Sequence, residues 1–535
     1  MFTLVVRNKT KRTFLPILAI IVAIILIAVG FYVYVEFWSK KPVTPEPEPE
    51  EKPIDDRISP LENQELIFEI NRMRNRGIID VMLKPGLSWR NPPSFYYITN
   101  MDGLEYIGKD VASAGGVKGE NLFTMWDTMF YENKINRDVE EEQATADVSL
   151  TIMERHKTGL LGLRTQDIEK EKFTVTYDFR TGRWSGDDSF NDSDGFGHYI
   201  GPNYEIWFNL YQNDYDFDGI PYWTEVNVLG TDPMVDDSKR DPNGDGIPLF
   251  WDWKWGYDPF GYDNHSLLDP DIDGLTNLQE YIMANRFADP FHQDIYLEAD
   301  GMQKGGLFDP AHVFWVESQQ IMIERFAQHN ICLYIDYGWP NNPVNGGGEL
   351  LEHYETLSQD SGMMLQYYKN HFPDERKGIF RYVVVGHNAG FCHPSEFNNY
   401  DSMAVDTSLY KALLKRKAFT PRTQRIVLAS ATMHELGHSL NIARWTVQGC
   451  DNLSFADSKQ AKQEFLDRWG NYKSVMSYYY IWDKKIVDYS DGSHGTGDSN
   501  DWANLDLTYF KQQAQEVEDP AFKFVPPRND NSSQI

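Results

Sequence analysis

Residues 431–452 read ATMHELGHSLNIARWTVQGCDN. His434 and His438 are four positions apart, so on a helix both imidazoles leave the same face and can share one metal ion. Glu435 is offset by one position, close enough to a metal-bound water to accept its proton without being a ligand. A helix is expected here because Thr420 and Pro421 supply an N-cap and a first-turn proline. Ile426, Ala429, Met433, Leu436 and Leu440 then recur at helical spacing as its buried stripe. Catalytic zinc takes three protein ligands and one water, so two histidines leave the set incomplete.

HELGHSLNIAR resembles the metzincin signature HExxHxxGxxH, and SVMSY at 474–478 resembles the Met-turn that lies beneath the metal in that superfamily. The resemblance spans roughly 430–480. It implies a zinc metallopeptidase in which Met476 is the turn methionine and Tyr478 contacts the metal or the oxyanion. The chain departs from the signature twice: Asn441 replaces its glycine and Arg444 its third histidine. Asparagine tolerates a left-handed turn. Arginine has no lone pair to offer a metal, so position 444 is excluded as a ligand.

Asp451 is the leading candidate for the third ligand, because it follows a turn glycine, Gly449, where an insertion after the helix would deliver a carboxylate to the same corner. His494, Cys450 and Glu464 are the alternatives. His494 is a good ligand type without a familiar spacing. Cys450, as thiolate, suits a structural or inhibitory ligand, or a disulfide. Glu464 would follow the gluzincin pattern of a glutamate on a second helix, which conflicts with the Met-turn. FRYVVVGHN (380–388) is a candidate sheet edge for an extended peptide. His387 and His393 read as structural, and Asp488, Asp491, Asp498 and Asp501 as a further calcium cluster or a solvated loop.

Upstream, a motif repeats three times between 214 and 290: DYDFDGIPYWTE from Asp214, DPNGDGIPLFWD from Asp241 and DPDIDGLTNLQE from Asp269. Each fits the calcium-loop pattern DxDxDGx5E, with the first, third, fifth and twelfth positions supplying oxygens and glycine at the sixth allowing the sharp turn. The candidate ligands are Asp214, Asp216, Asp218 and Glu225; Asp241, Asn243, Asp245 and Asp252; Asp269, Asp271, Asp273 and Glu280. The repeats resemble thrombospondin type 3 modules rather than EF-hands, which implies that calcium is needed for them to fold.

The 535 residues suffice for more than one folded unit, and 80 acidic against 50 basic residues argue against nucleic acid as a partner. Three cysteines, Cys332, Cys392 and Cys450, exclude a disulfide scaffold. The uncharged run FLPILAIIVAIILIAVGFYVYV (14–35) predicts a membrane span, since its 22 residues cover a hydrocarbon layer of roughly 30 Å. Arg7, Lys9, Lys11 and Arg12 before it place the N-terminus in the cytoplasm. PVTPEPEPEEKP (42–53) reads as a stiff spacer. Residues 62–77 fit a short helix. ADVSLTIME (146–154), KFTVTYDF (172–179) and YEIWFNLY (204–211) read as strands of a sandwich.

The expected fold class is therefore multidomain: an N-terminal transmembrane helix, a β-sandwich domain, a calcium-binding repeat region and an α/β (α+β) metzincin-like catalytic domain. Its divisions are a cytoplasmic tail (1–13), the membrane helix (14–36), a linker (37–60), the sandwich (61–211), the repeats (212–291), the peptidase-like domain (292–525) and a disordered tail (526–535). The expected function is that of a membrane-anchored extracellular zinc endopeptidase acting on peptides or proteins, with zinc and calcium as cofactors. Arg444 keeps open a different class, an inactive peptidase-like adhesion or binding protein at the cell surface.

Overall fold

The structure is a computed structural model that describes residues 64–511, apart from 85–91, 108–125, 131–132, 141–142, 159–162, 180, 191–195, 213, 263, 308, 310–311, 339–345, 358–361, 387–390, 393–399, 408–419, 452–458 and 484. The expected membrane helix at 14–36, the segments flanking it, the tail at 526–535, His387 and His393 lie outside the described residues. Among the described residues no helix is long and apolar enough to cross a membrane. The longest, Pro421–Ser439, carries Arg422, Arg425, His434 and Glu435. The transmembrane element of the expected fold class, and the single-pass cell-membrane placement resting on it, are accordingly not supported by the structure and are not carried further. The described architecture is one of mixed sheets and helices.

The described residues all belong to one compact unit, Asp56–Ile535. Its N-terminal part is two antiparallel sheets. In the first, Gln64–Asn75 lies between Tyr204–Gln212 on one side and Asp127–Met129 and Lys134–Val139 on the other. The second runs in the order Leu104–Ile107, Phe95–Met101, Thr145–Thr158, Arg164–Asp178, Arg183–Gly186. Alternate residues of both sheets, among them Phe68, Ile70, Val148, Leu150, Phe173, Val175, Ile206 and Phe208, form one buried core. The short helix expected at 62–77 is instead the strand Gln64–Asn75. Leu66, Phe68 and Ile70 repeat with period two and have a facing sheet to bury against, which decides for a strand.

The C-terminal part is built on a parallel sheet, Cys332–Asp336, Asp294–Met302, Phe380–Gly386, Ser402–Asp406, closed by the antiparallel edge Phe391–Cys392. Phe380–Gly386 therefore has a neighbour on both sides and cannot be the edge that receives a peptide. All seven of its residues are buried, Arg381 among them, as a strand inside a covered parallel sheet predicts. Val316–Ala327 and Pro421–Ser439 share a core with one face of this sheet through Ile321, Phe326, Val383, Val405, Ile426 and Met433. Ion pairs join it to the sandwich: Arg74 and Arg76 reach Glu324 at 3.1 and 3.2 Å. The repeats between the two parts are loops followed by short helices, Leu249–Trp255 after the second and Asn277–Met283 after the third.

Candidate metal centre

Thr420 caps the helix Pro421–Ser439 by accepting the Thr423 N–H, with Pro421 in the first turn. The helix ends in a Schellman arrangement, in which Ile442 N–H donates to Gly437 O at 2.8 Å and Asn441 N–H to His438 O at 3.3 Å. Asn441 takes the left-handed conformation, φ 68°, that glycine would otherwise fill. The chain then turns through Gly449 (φ 100°) and brings Asp451 back over the last helical turn.

That return assembles three side chains. His434 Nε2 lies 3.3 Å from Asp451 Oδ1 and His438 Nε2 lies 3.8 Å from Asp451 Oδ2. One ligand atom from each of the three residues falls within 4.8 Å of the others. The far side of each imidazole is committed: His434 Nδ1 pairs with Val475 O at 2.9 Å and His438 Nδ1 with Ile442 O at 2.8 Å. A carbonyl can only accept, so both Nδ1 atoms carry a proton and both Nε2 atoms, the ones left for a metal, are turned inward. Asp451 Oδ1 is buried and has no hydrogen-bond partner. Two Nε2 atoms and a carboxylate meeting at one buried point are a donor set that a cation can bridge.

The charges respond to this crowding. Burial opposes a charge on His434, but the adjacent Asp451 carboxylate outweighs it and the imidazole is pushed up to about 9. Burial works against the Asp451 anion too, and His438 and His434 overcome it, holding the carboxyl down at about 2. Glu435 is pushed up to about 7 by burial, with His434 opposing and Asp451 adding. The Tyr478 ring lies against His434 at a centroid separation of 5.4 Å. Burial, then the charges of Asp451 and Glu435, raise its hydroxyl so that it stays protonated.

Four groups hold this arrangement in place. Arg444, excluded as a ligand, donates from Nη2 to the Asp451 carbonyl at 3.1 Å and so anchors the residue at issue. Turn 474–478 accepts the His434 proton at Val475 O and the Asp451 N–H at Met476 O, the latter at 3.0 Å. Gly437 lies against Met476, where a Cβ would come within 2.9 Å of the methionine Cε. Asp501, wholly buried, accepts from Tyr472 Oη at 2.7 Å, from Ser474 Oγ and from Ser490 N at 3.0 Å, and thereby braces the turn.

The other expected candidates have different partners. His494 Nδ1 meets Asp498 at 2.8 Å. Cys450 is a buried free thiol with its Sγ 3.8 Å from Ile442 O, and burial pushes it up, away from thiolate. Glu464 accepts from Gln460 at 3.1 Å on the surface of the helix Lys459–Trp469. Asp498 and Asp488 are occupied by protein donors, Ser490 and His494 for the first and Trp502 and Arg325 for the second. Asp488, Asp498 and Asp501 are thus bonded within the protein, whereas residues 491–496 of the same loop, Asp491 among them, are exposed.

The aspartate repeats share one geometry. The first-position carboxylate accepts the N–H of the sixth-position glycine: Asp214 from Gly219 at 2.6 Å, Asp241 from Gly246 at 3.0 Å, Asp269 from Gly274 at 3.0 Å. Those glycines have φ of 89°, 95° and 98°. The fifth-position carboxylates of Asp218, Asp245 and Asp273 accept from Ile220, Ile247 and Leu275. Glu225, Asp252 and Glu280, at the twelfth positions, are all buried. Neither oxygen of Asp216 or Glu280 has a hydrogen-bond partner. Burial and neighbouring carboxylates push Asp271 up to about 9, and burial leads in pushing Glu225 up to about 8. The second loop differs in holding His265, whose Nε2 lies 2.8 Å from Asp245 and 3.2 Å from Asp252. No motif spacing singles out that histidine.

No family model and no curated protein matches the chain. Among solved structures, human GIVD cytosolic phospholipase A2 aligns over 28% of this chain and 16% of its own at 12% identity, with a TM-score of 0.18. The same enzyme in complex with methyl gamma-linolenyl fluorophosphonate inhibitor and terbium chloride aligns over 28% of this chain and 17% of its own at 12% identity, with a TM-score of 0.17. The alignment thus spans less than a fifth of either neighbour. At such scores the likeness describes neither a shared fold nor a shared site.

Proposed function

We propose that the chain is a zinc-dependent endopeptidase, with His434, His438 and Asp451 holding the metal and Glu435 acting as general base. The observation that carries this reading is the inward pair formed by His434 Nε2 and the unpartnered Asp451 Oδ1, 3.3 Å apart. That separation is the edge, about 3.3 Å, of a tetrahedron drawn around an ion with zinc–ligand distances of about 2.0–2.1 Å. Two imidazoles and one carboxylate are also a zinc-type donor set that leaves a position for water.

Zinc, when bound there, acidifies a water and polarises the scissile carbonyl. Glu435 would accept the proton of a metal-bound water and later pass it to the leaving amine. Tyr478 keeps its proton and would be a donor to a developing oxyanion. The substrate class is a peptide or protein. The three aspartate loops, with hard oxygen donors around left-handed glycines, are read as calcium sites that hold the middle of the chain in shape.

Metal analysis of the purified full chain, together with cleavage of a denatured protein, tests the proposal. About one zinc per chain is expected, retained in Glu435→Gln with cleavage abolished, and lost in Asp451→Ala. A two-histidine, one-carboxylate set also serves non-haem iron. Iron in place of zinc, or full zinc in Asp451→Ala, overturns the assignment.

A further inference from the structure

A second group of metal-ligating side chains meets at the carboxyl ends of the parallel strands. Beyond Asp294–Met302 the chain carries Asp309 and His312 toward the helix Val316–Ala327, and the short strand Leu350–Leu351, paired with Gly301 and Met302, delivers His353. One ligand atom from each of Asp309, His312 and His353 lies within 4.8 Å of the others. His312 Nε2 is 3.0 Å from Asp309 Oδ2, and His353 Nδ1 is 3.7 Å from the same oxygen. The backbone permits this approach, because a Cβ at Gly305 would collide with His353 Nε2 and one at Gly301 would come within 2.5 Å of His312 O. The cluster is separate from the His434 centre. Glu317 pairs with Arg425 at 2.9 Å near the start of Pro421–Ser439, and His434 lies about 13 Å further along that helix at 1.5 Å per residue.

Hydrogen bonds around buried His312 fix which of its nitrogens faces the carboxylate. Thr407 Oγ1 donates its one hydrogen to Gly386 O at 3.1 Å, so toward His312 Nδ1 it accepts. Nδ1 therefore carries a proton. In a neutral ring, Nε2 then directs a lone pair at a carboxylate oxygen, an arrangement that a cation between them relieves. His353 is aimed at the same oxygen. The separations of 3.0 and 3.7 Å bracket the edge, about 3.3 Å, of a tetrahedron around an ion with zinc–ligand distances of about 2.0–2.1 Å. His353 Nδ1 also faces Gln303 O at 2.9 Å, and its Nε2 is 3.7 Å from Glu355 Oε1. Ligation through Nδ1 puts the ring proton on Nε2, where the Glu355 carboxylate is placed to orient it.

We propose that Asp309, His312 and His353 bind a further divalent ion of the zinc type, which pins the segment between Asp294–Met302 and Val316–Ala327 over the carboxyl ends of the sheet. Two imidazoles select such an ion over calcium, which takes oxygen ligands. The site needs neither the peptidase reading of the His434 centre nor the calcium reading of the repeats. Asp309 and His353 are only half-buried, and three protein ligands leave a position open to water. This ion therefore exchanges with solvent, is lost on dialysis and returns on titration.

Calorimetric titration of zinc chloride into the dialysed full chain, with calcium chloride present throughout to occupy the oxygen-only sites, tests this. The wild type should take up about one zinc more than His353→Ala, whatever the His434 centre holds, because both proteins keep that centre. Zinc should also raise the thermal midpoint of the wild type by more than that of His353→Ala. Wild-type crystals soaked in zinc chloride should show an anomalous peak within bonding distance of His312 Nε2, and that peak decides alone should His353→Ala misfold. Equal uptake by the two folded proteins, or no peak beside His312, overturns the ion and leaves a hydrogen-bonded His312–Asp309 pair. Failure of zinc at the His434 centre alone would remove the peptidase reading and leave this difference between the two proteins intact.

Discussion

The backbone N–H of Asp451 donates to the carbonyl oxygen of Met476 at 3.0 Å, while the preceding carbonyl, Val475 O, takes the His434 Nδ1 proton at 2.9 Å. Consecutive peptide groups of one turn thus orient two of the three proposed ligands. The methionine side chain packs on Gly437, between the two histidines, so one turn sets the spacing of the whole constellation. Partners of this kind behind a ligand typically matter by 10–100-fold in metal affinity.

Arg444 is expected to act through Asp451 and not on substrate. Arg444→Ala removes the donor to the Asp451 carbonyl and should weaken zinc binding about 10–100-fold with the fold retained. A competition titration against a chelator measures it. Unchanged affinity would show that the turn alone suffices.

Gly437→Ala places a methyl group against Met476 Sδ and within 3.2 Å of Tyr489 Cε1. Overpacking of this kind costs about 1–3 kcal/mol. The expected result is a lower thermal midpoint and weaker zinc binding, both relieved in part by Met476→Ala on the same background. Absence of that rescue would argue that the strain lies elsewhere.

Asp501→Ala leaves the donors of Tyr472, Ser474 and Ser490 buried without their acceptor. Each unsatisfied buried donor costs about 1–3 kcal/mol, so destabilisation in denaturant titrations should exceed that of an ordinary surface substitution severalfold. Asp498→Ala, two partners away from the turn, should leave zinc affinity unchanged.

Calcium removal should act on the fold before it acts on cleavage. With EGTA, the carboxylates of buried Asp214 and Glu225 and half-buried Asp271 would lose their counter-ions, and desolvation favours their protonated forms. A fall in thermal midpoint that calcium restores and magnesium restores less well is the expected pattern, read by scanning calorimetry.

Asp127 gives a pH dependence with a defined sign. Its carboxyl, opposed by burial but held by Arg72 at 2.9 Å and by Gln320 at 2.9 Å, lies below its ordinary value of 3.8. A depressed folded value means the stabilisation is complete above about pH 4 and is lost as pH falls through the folded value. Asp127→Asn should therefore be less stable than the wild type at pH 7, with the difference narrowing below pH 4 in denaturant titrations. A constant difference across that range would contradict the ion pair.

Features carried by short spacings could be read from the sequence alone. The i, i+4 histidines, the Thr420–Pro421 start, the stripe from Ile426 to Leu440 and the three registered aspartate loops each depend on contacts within a few residues. Local backbone geometry is sufficient to dictate them. The strands at 146–154, 172–179 and 204–211 were legible for the same reason, since period two is a local signal. Tertiary structure decided what distant segments do to one another. It made 64–75 a strand because a second sheet faces it, put Phe380–Gly386 inside its sheet, and gave Arg444 and Asp501 their partners. Among the described residues no helix is long and apolar enough to cross a membrane. Asp451 stands between the two cases: spacing nominated it, but only the return of the chain through Gly449 and the turn at 474–478 brings its carboxylate to the histidines. A ligand set is a condition on distances in space, and sequence separation constrains those only across a turn or two of helix.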